Sequence, residues 1–144
     1  MISSSATRVT SQTDAAVTDR IRQQTARTIA HFAAHPDQID ARLRELDEEW
    51  DIERVLETGS SALTLTGLTL GIIRARKWLL LSLAVQTFFM QHALQGWCPP
   101  LPLFRRLGFR TQYEIEQERY ALKALRGDFR QASGPEQVMQ AVRG

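Results

Sequence analysis

The chain has 144 residues, of which 43% are hydrophobic and 24% are charged, the length and composition of one folded domain. These values exclude a low-complexity tail and a fibrous protein, and the single cysteine excludes an internal disulfide framework. The net charge of +2 is uneven: residues 1–58 carry 7 Arg and 11 acids, whereas residues 59–144 carry 11 Lys or Arg and 5 acids. We expect the basic half to face an anionic membrane surface rather than nucleic acid, because its cations are scattered and no nucleic-acid-binding motif accompanies them.

The N-terminal segment, residues 1–11, is rich in Ser and Thr and has no hydrophobic periodicity, which predicts a disordered tail. It also lacks the continuous apolar core of a secretory signal, so residence on the cytoplasmic side is expected. Residues 12–58 are predicted to form an amphipathic helical region. Its first helix is expected from Thr13 to His35, with an apolar stripe at three-and-four spacing formed by Val17, Ile21, Thr25, Thr28, Ile29 and Phe32.

Pro36 ends the first helix, and Asp37 is predicted to cap a second one. Steps of four, three and four residues predict a packing seam on this second helix. The same segment carries an acidic run, interpreted either as a solvated face or as a docking surface for the basic C-terminal half. The predicted seam is Ile39, Leu43, Leu46 and Trp50, and the acidic run is Glu45, Asp47, Glu48, Glu49, Asp51, Glu53 and Glu57.

Residues 59–110 are predicted to form an apolar helical hairpin that ends in a Pro-rich turn, with a helix break at Thr58–Ser61. Apolar runs of about 15 and 20 residues flank the basic turn 74–77, and such arms either enter a bilayer or form a shared core. The first arm is short, because 15 residues of helix cover about 22 Å of a hydrocarbon layer of about 30 Å. Embedding therefore requires bilayer thinning, snorkelling of the basic residues or oligomerisation, and Trp78 and Trp97 favour the membrane interface.

One stripe of small residues marks the first arm. Gly67 and Gly71 form a G-x-x-x-G pair, and Thr64 lies one turn earlier. Small side chains allow two helices to approach closely in lipid. The stripe is interpreted either as a dimerisation surface or as the packing surface for the second arm.

The prolines of residues 98–104 forbid a continuing helix and predict an extended turn. Thr111 and Glu114 then form a capping box, which predicts a last helix over residues 111–131 with the stripe Ile115, Leu122, Leu125 and Phe129. Residues 132–144 are predicted to be a tail that holds at most a short helix. The predicted fold class is all-α, with two N-terminal helices, a central apolar hairpin and one C-terminal helix.

Several short motifs around the hairpin carry a family resemblance. They are Arg54 before the first arm, the run 65–71 (LTGLTLG), Gly96-Trp97-Cys98-Pro99, and the Leu-Gly-x-x-Thr close at 107–111. Over roughly residues 52–111 the chain resembles the two-helix membrane domain of YgaP-type inner-membrane rhodaneses. The resemblance implies an embedded hairpin that tends to dimerise, and it implies no catalytic residue. The sulfurtransferase module is absent, and so is its active-site loop, in which an Arg follows the Cys by five residues; here the next Arg follows Cys98 by seven residues.

Few residues point to chemistry. His31 and His35 share a helix face but lack a third ligand nearby, so we expect surface histidines and no metal. Cys98, followed by Pro99, lies six residues after His92, and a thiolate and an imidazole are both ligands that haem iron accepts. Both residues are therefore candidates for a reactive thiol or a haem site, although the preferred interpretation is a packed cysteine and a hydrogen-bonded neutral imidazole. No phosphate loop or catalytic motif is present.

The expected function is that of a non-catalytic, membrane-associated or membrane-embedded helical protein without a cofactor. It self-associates as a dimer in lipid and presents charged helices to a protein partner. Five cations outside the hairpin against three in its turn favour cytoplasmic termini in the inner membrane. The alternatives are a cytoplasmic, dimeric helical bundle with the hairpins as shared core, and a haem or thiol/sulfur-handling protein that uses Cys98 and His92.

Overall fold

The computed structural model describes residues 4–130 and 132–143. Over these residues every regular element is a helix, which confirms the all-α class. Single 3-10 turns precede the third and the fifth α-helix, at Pro36–Gln38 and Arg76–Trp78. The α-helices are α1 (Arg8–Ser11), α2 (Ala15–Ala34), α3 (Ile39–Glu48), α4 (Ile52–Ile73), α5 (Leu79–Gln95), α6 (Leu101–Arg106), α7 (Gln112–Arg126) and α8 (Pro135–Arg143).

The first of two compact units contains the described residues up to 18 together with residues 50–111. Its framework is the hairpin of α4 and α5, which the turn at 74–77 joins. At the base of the hairpin, α1, α6 and the start of α4 enclose a small apolar core. The buried members of this core are Val9, Ile52, Leu56, Cys98 and Leu101, and Phe89, Trp97, Phe104 and Phe109 pack around them.

The start of α4 is fixed by two hydrogen bonds. The backbone N–H of Arg54 donates to the Asp51 carboxylate at 2.6 Å, and the N–H of Ile52 donates to the carbonyl of Arg110 at 2.8 Å. An N-cap carboxylate satisfies a backbone donor that the helix itself cannot pair. Asp51 therefore begins a new helix within the acidic run. The prediction of Trp50 in the seam of the second helix is wrong, because Trp50 lies before this cap and is 44% exposed.

Three further predictions in this unit are wrong. The expected tail at 1–11 includes α1, in which Val9 is buried in the core; residues 1–3 lie outside the described residues. The expected break at Thr58–Ser61 is absent because α4 runs through it, and the Ser60 hydroxyl donates within the helix to the Glu57 carbonyl at 3.1 Å. The Pro-rich turn passes into α6, because a proline fits the first turn of a helix, where its missing N–H is not needed.

The second unit contains residues 19–49 and the described residues from 112 onward. Here α3 packs on α7 through an apolar cluster, to which Phe32 of α2 adds. The seam predicted on the second helix is confirmed except for Trp50, and the start of the last helix at Thr111 is confirmed by α7. The buried cluster consists of Ile39, Leu43, Leu46, Ile115 and Leu122.

Charged side chains fasten the same helices. Glu118, which is 1% exposed, accepts from Arg42 Nε at 2.8 Å, and Arg119 pairs with Asp47 of the acidic run. Arg126 bridges Asp40 at 2.6 Å and Asp128. Part of the acidic run thus does pair with the basic C-terminal half, as one of the two interpretations held.

The remaining boundaries differ locally. Asp37 does not cap the second helix, because it lies inside the 3-10 turn and Gln38 precedes α3. The last long helix ends at Arg126, where Gly127 takes a φ of +96°, a conformation that favours glycine. Leu125 of its predicted stripe is 41% exposed. The expected tail contains α8, whose terminal carbonyls at 141 and 142 accept from Lys123 Nζ at 3.4 and 2.8 Å.

Candidate functional site

The most unusual surface of the first unit is the outside of the α4–α5 hairpin, which we call the hairpin face. Large apolar side chains there are between 38% and 83% exposed. The apolar residues of α5 lie on all sides of the helix rather than on one stripe. A helix that is apolar all round is covered by protein or by lipid. The twelve side chains of the hairpin face are Leu63, Leu65, Leu68, Ile72, Ile73, Trp78, Leu79, Leu80, Leu83, Phe88, Met90 and Leu94.

Five polar side chains of the two arms form hydrogen bonds within the hairpin: Thr64, Thr66, Ser82, Gln86 and Thr87. Thr66 and Thr87 each donate a hydroxyl proton to the carbonyl four residues earlier, at 2.8 Å. Between the arms, Ser82 Oγ donates to the Thr64 carbonyl at 2.9 Å, and Gln86 Nε2 donates to Thr64 Oγ1 at 2.8 Å. Such pairing lowers the cost of removing these groups from water.

The small-residue stripe lies on the seam between the two arms. A Cβ at Gly67 would overlap Ser82 Oγ and lie 3.0 Å from the Trp78 carbonyl oxygen, and a Cβ at Gly71 would overlap the Leu79 side chain. Thr64 belongs to the same seam through its two hydrogen bonds. Thr64, Gly67 and Gly71 therefore pack the two arms of one chain against each other. The hairpin face is the apolar surface of the hairpin that this packing does not cover.

The tip of the hairpin is basic, because Arg74, Arg76 and Lys77 lie in the turn and all three are exposed. Trp78 comes next at 38% exposure, whereas Trp97 packs partly buried against the core at the opposite end. Among the residues that the structure describes, no helix reaches the length and hydropathy of a membrane-crossing segment.

Cys98 lies in the core at the base of the hairpin and is 4% exposed. Burial raises the pKa of its thiol above the ordinary value, and a hydrogen bond with the backbone of Leu101 opposes that shift only in part. A thiol in this environment stays protonated at neutral pH and is a poor nucleophile. Arg105 is 1% exposed and donates to Thr13 Oγ1 at 3.1 Å and to the Phe109 carbonyl at 2.9 Å.

His92 is 2% exposed and stacks on Phe89, with ring centroids 6.4 Å apart. Neither of its ring nitrogens has a hydrogen-bond partner, so it neither pairs with Cys98 nor is the hydrogen-bonded imidazole that one sequence interpretation expected. Arg8 of α1 is the charged group that acts electrostatically on it. The burial expected for a core imidazole is present, and the expected hydrogen bond is not.

A cavity of about 340 Å³ opens at the base of the hairpin. Its walls come from α4, α5, α6 and the segment 98–100, and Cys98 is part of the wall whereas His92 is not. The two candidate haem ligands thus do not face this space together. No cluster of three potential metal ligands occurs in residues 4–130 and 132–143, and His31 and His35 have stacked rings 4.4 Å apart.

Sequence reasoning missed the contact that closes the base of the hairpin. Gly96 ends α5 with a φ of +76°, and a Cβ there would overlap the backbone carbonyl of Arg8. Arg8 also lies 3.5 Å from the Glu53 carboxylate of α4. The only sequence signal was the glycine itself, because a glycine after an apolar helix is typical of a left-handed cap.

No protein-family model, curated protein or solved structure matches this chain.

Proposed function

We propose that this chain is a non-catalytic, membrane-embedded protein whose α4–α5 hairpin contacts lipid and whose charged helices face a protein partner. The observation that carries the proposal is the exposure of the hairpin face. Burying a large apolar side chain fully contributes about 1.5–3 kcal/mol, so covering twelve half-exposed ones is worth on the order of 10 kcal/mol. A surface of this kind requires a cover.

The polar groups of the hairpin support lipid as that cover. Lipid offers no hydrogen bonds, and the hydroxyls of Thr66, Ser82 and Thr87 already donate to carbonyls of the hairpin. The basic tip and Trp78 suit a headgroup layer, where cations gain about 1 kcal/mol each beside anionic lipid. The resemblance to the hairpin domain of YgaP-type rhodaneses supports the same function.

The same proposal includes orientation and self-association. Both termini lie on the cytoplasmic side of the inner membrane, with the second unit and its ion-paired helices α3 and α7 available to a partner. Two copies associate through part of the hairpin face, because the seam of small residues is already used inside each hairpin. Self-association also shields the short first arm, whose 15 residues cover about 22 Å.

A dimer in water is the second candidate, because it also covers the hairpin face and leaves the basic tip in solvent. Arg74, Arg76 and Lys77 need no snorkelling when two hairpins bury their faces against one another in water. Flotation with vesicles separates the two candidates. The full chain is mixed with vesicles of phosphatidylcholine and phosphatidylglycerol and floated on a density gradient at pH 11 in carbonate.

The embedded protein floats with the vesicles at high pH and high salt and leaves them only with detergent. A protein that remains at the bottom of the gradient, and that runs as a discrete dimer in detergent-free buffer, rejects membrane embedding and supports the second candidate. A variant with the tip cations changed to Gln serves as the control for purely electrostatic adsorption, because adsorption alone would be lost in that variant.

A further inference from the structure

The cavity at the base of the hairpin is lined almost entirely by apolar groups. Its walls carry no formal charge, and they include Leu56, Leu63, Phe88, Phe89 and Cys98. The hydroxyl of Ser60, which is also on the wall, is occupied by the Glu57 carbonyl. A polar occupant would lose its hydrogen bonds to water and find none here, so the cavity suits a hydrocarbon.

The cavity connects two apolar regions that have been described separately. Leu63 and Phe88 belong both to its wall and to the hairpin face, where they are 50% and 44% exposed. Leu56 and Cys98 belong both to its wall and to the buried core. A chain molecule that contacts the hairpin face can therefore extend inward as far as the core without crossing a charged group.

Gly59 lies on the wall of this cavity and is exposed. It lies inside α4, and a Cβ built there would have no heavy atom within 4 Å. Alanine is favoured over glycine in the middle of a helix, and space for its methyl group is available. Glycine is thus not needed at position 59 to avoid a clash, in contrast to Gly67 on the seam, and a side chain at 59 has open space beside the cavity wall.

We propose that this cavity holds one acyl chain of a bilayer phospholipid. The inference rests on the proposed function, because the reservoir that adjoins the hairpin face is then the hydrocarbon layer itself. A volume of about 340 Å³ lies at the lower end of the range of small-molecule pockets, which is about 300–1,000 Å³. The bound chain anchors the base of the hairpin and supplies the dispersion contacts that the cavity walls otherwise lack.

Photo-crosslinking tests the proposal. The full chain is reconstituted into phosphatidylcholine and phosphatidylglycerol vesicles that contain a trace of phosphatidylcholine with a diazirine in one acyl chain. After irradiation, adducts are mapped residue by residue. Lipid around the hairpin marks Leu80 and Leu83, which are exposed, whereas only an occupant of the cavity reaches Leu56 and Cys98, which are 6% and 4% exposed.

We expect adducts at both sets of residues in the wild type. Gly59→Phe fills the cavity and is expected to reduce the adducts at Leu56 and Cys98 at least fivefold while those at Leu80 and Leu83 persist. Gly59→Ala adds one methyl group and is expected to retain both sets. Val85→Phe fills the same space from the α5 wall and is expected to have the same effect as Gly59→Phe. It replaces Gly59→Phe in the test if circular dichroism shows that Gly59→Phe folds poorly.

Adducts at Leu80 and Leu83 without any at Leu56 and Cys98 would overturn the acyl-chain proposal and leave the embedding intact. Inner adducts that both filling variants leave unchanged would overturn it equally. Free fatty acid carrying the diazirine, added at equal concentration, provides the second arm: labelling of the core by that probe alone assigns the cavity to a free acid and rejects the phospholipid. A chain without adducts that also fails to float contradicts the proposed function itself.

Discussion

Replacing Leu65 by aspartate tests whether lipid covers the hairpin. Leu65 lies near the middle of the first arm, residues 59–73, and is 64% exposed. An ionised aspartate at the centre of an embedded helix costs about 2.5–3.5 kcal/mol. At about 1.36 kcal/mol for each factor of ten, that cost lowers the vesicle partition coefficient about 70- to 400-fold.

The same substitution in water has a small effect. A change at an exposed position away from caps and ion pairs alters the free energy of unfolding by about 0.5 kcal/mol or less. Leu125→Asp on α7 is the matched control, because Leu125 is also apolar and 41% exposed but belongs to the second unit. We expect that variant to partition within about threefold of the wild type.

The assay is a titration of each variant with phosphatidylcholine and phosphatidylglycerol vesicles at pH 7.5, followed by intrinsic tryptophan fluorescence. Leu65→Ala is included to separate the loss of apolar area from the introduction of charge. Equal partition coefficients for Leu65→Asp and Leu125→Asp would refute the reasoning, because the hairpin face would then lie outside the hydrocarbon layer.

Three further predictions concern stability. Gly96→Ala combines backbone strain at a positive φ with overlap of the Arg8 carbonyl, so it should lower the free energy of unfolding by more than about 2 kcal/mol, of which about 1–2 kcal/mol comes from the strain. Gly108→Ala, at a φ of +99° with open space around the new methyl group, should cost only the strain. Chemical denaturation in detergent compares the two variants, and equal losses of stability would contradict the close approach of Gly96 to Arg8. Gly67→Ala should lower the free energy of unfolding by about 1–3 kcal/mol, and Gly59→Ala should raise it by up to about 1 kcal/mol. Melting temperatures that shift in the same direction for both variants would contradict the close packing of the two arms at Gly67. Because burial raises the pKa of the Cys98 thiol, the folded state holds the thiol proton more tightly than the unfolded state. The resulting stability is complete below the ordinary pKa of 9.0 and is lost as pH rises above it. The free energy of unfolding, measured by denaturation between about pH 8 and 11, should therefore decrease more steeply with pH for the wild type than for Cys98→Ala.

The all-α class, the seam of α3 and the start of α7 followed from the sequence because their signals are local. Ile39, Leu43 and Leu46 repeat at helical spacing, and Thr111 begins a capping box. Such signals depend on residues within one or two turns of each other. The same holds for the hairpin turn, where basic residues interrupt two apolar runs.

The errors concern contacts between segments that are distant along the chain. Val9 looked like part of a tail because its apolar partners come from Ile52 and Leu101, far along the sequence. Gly59 looked like a helix break, but the rest of α4 holds it in helical conformation against its low propensity. A local sequence pattern shows neither the apolar contacts that distant segments provide nor the effect of a long surrounding helix on one glycine.

The candidate site was only partly predictable. Spacing identified Thr64, Gly67 and Gly71 as one stripe but left two interpretations of what packs on it, since a second arm and a second copy demand the same small residues. Cys98 and His92 were selected for their chemistry. In the structure Cys98 lines the cavity and His92 does not, so the two side chains do not face one space. The cavity itself arises from the way α4, α5 and α6 meet, which no single segment encodes.

The environment of the hairpin face in a bilayer provides the most direct test of lipid contact. A nitroxide attached at Leu83→Cys, in a Cys98→Ser background, is compared in vesicles with one at Leu125→Cys by electron paramagnetic resonance power saturation. We predict that the label at position 83 is relaxed strongly by oxygen and weakly by a water-soluble nickel chelate, with the reverse at position 125. Strong relaxation of the label at 83 by the nickel chelate would show that water, not lipid, surrounds the hairpin, and would contradict the membrane-embedded function.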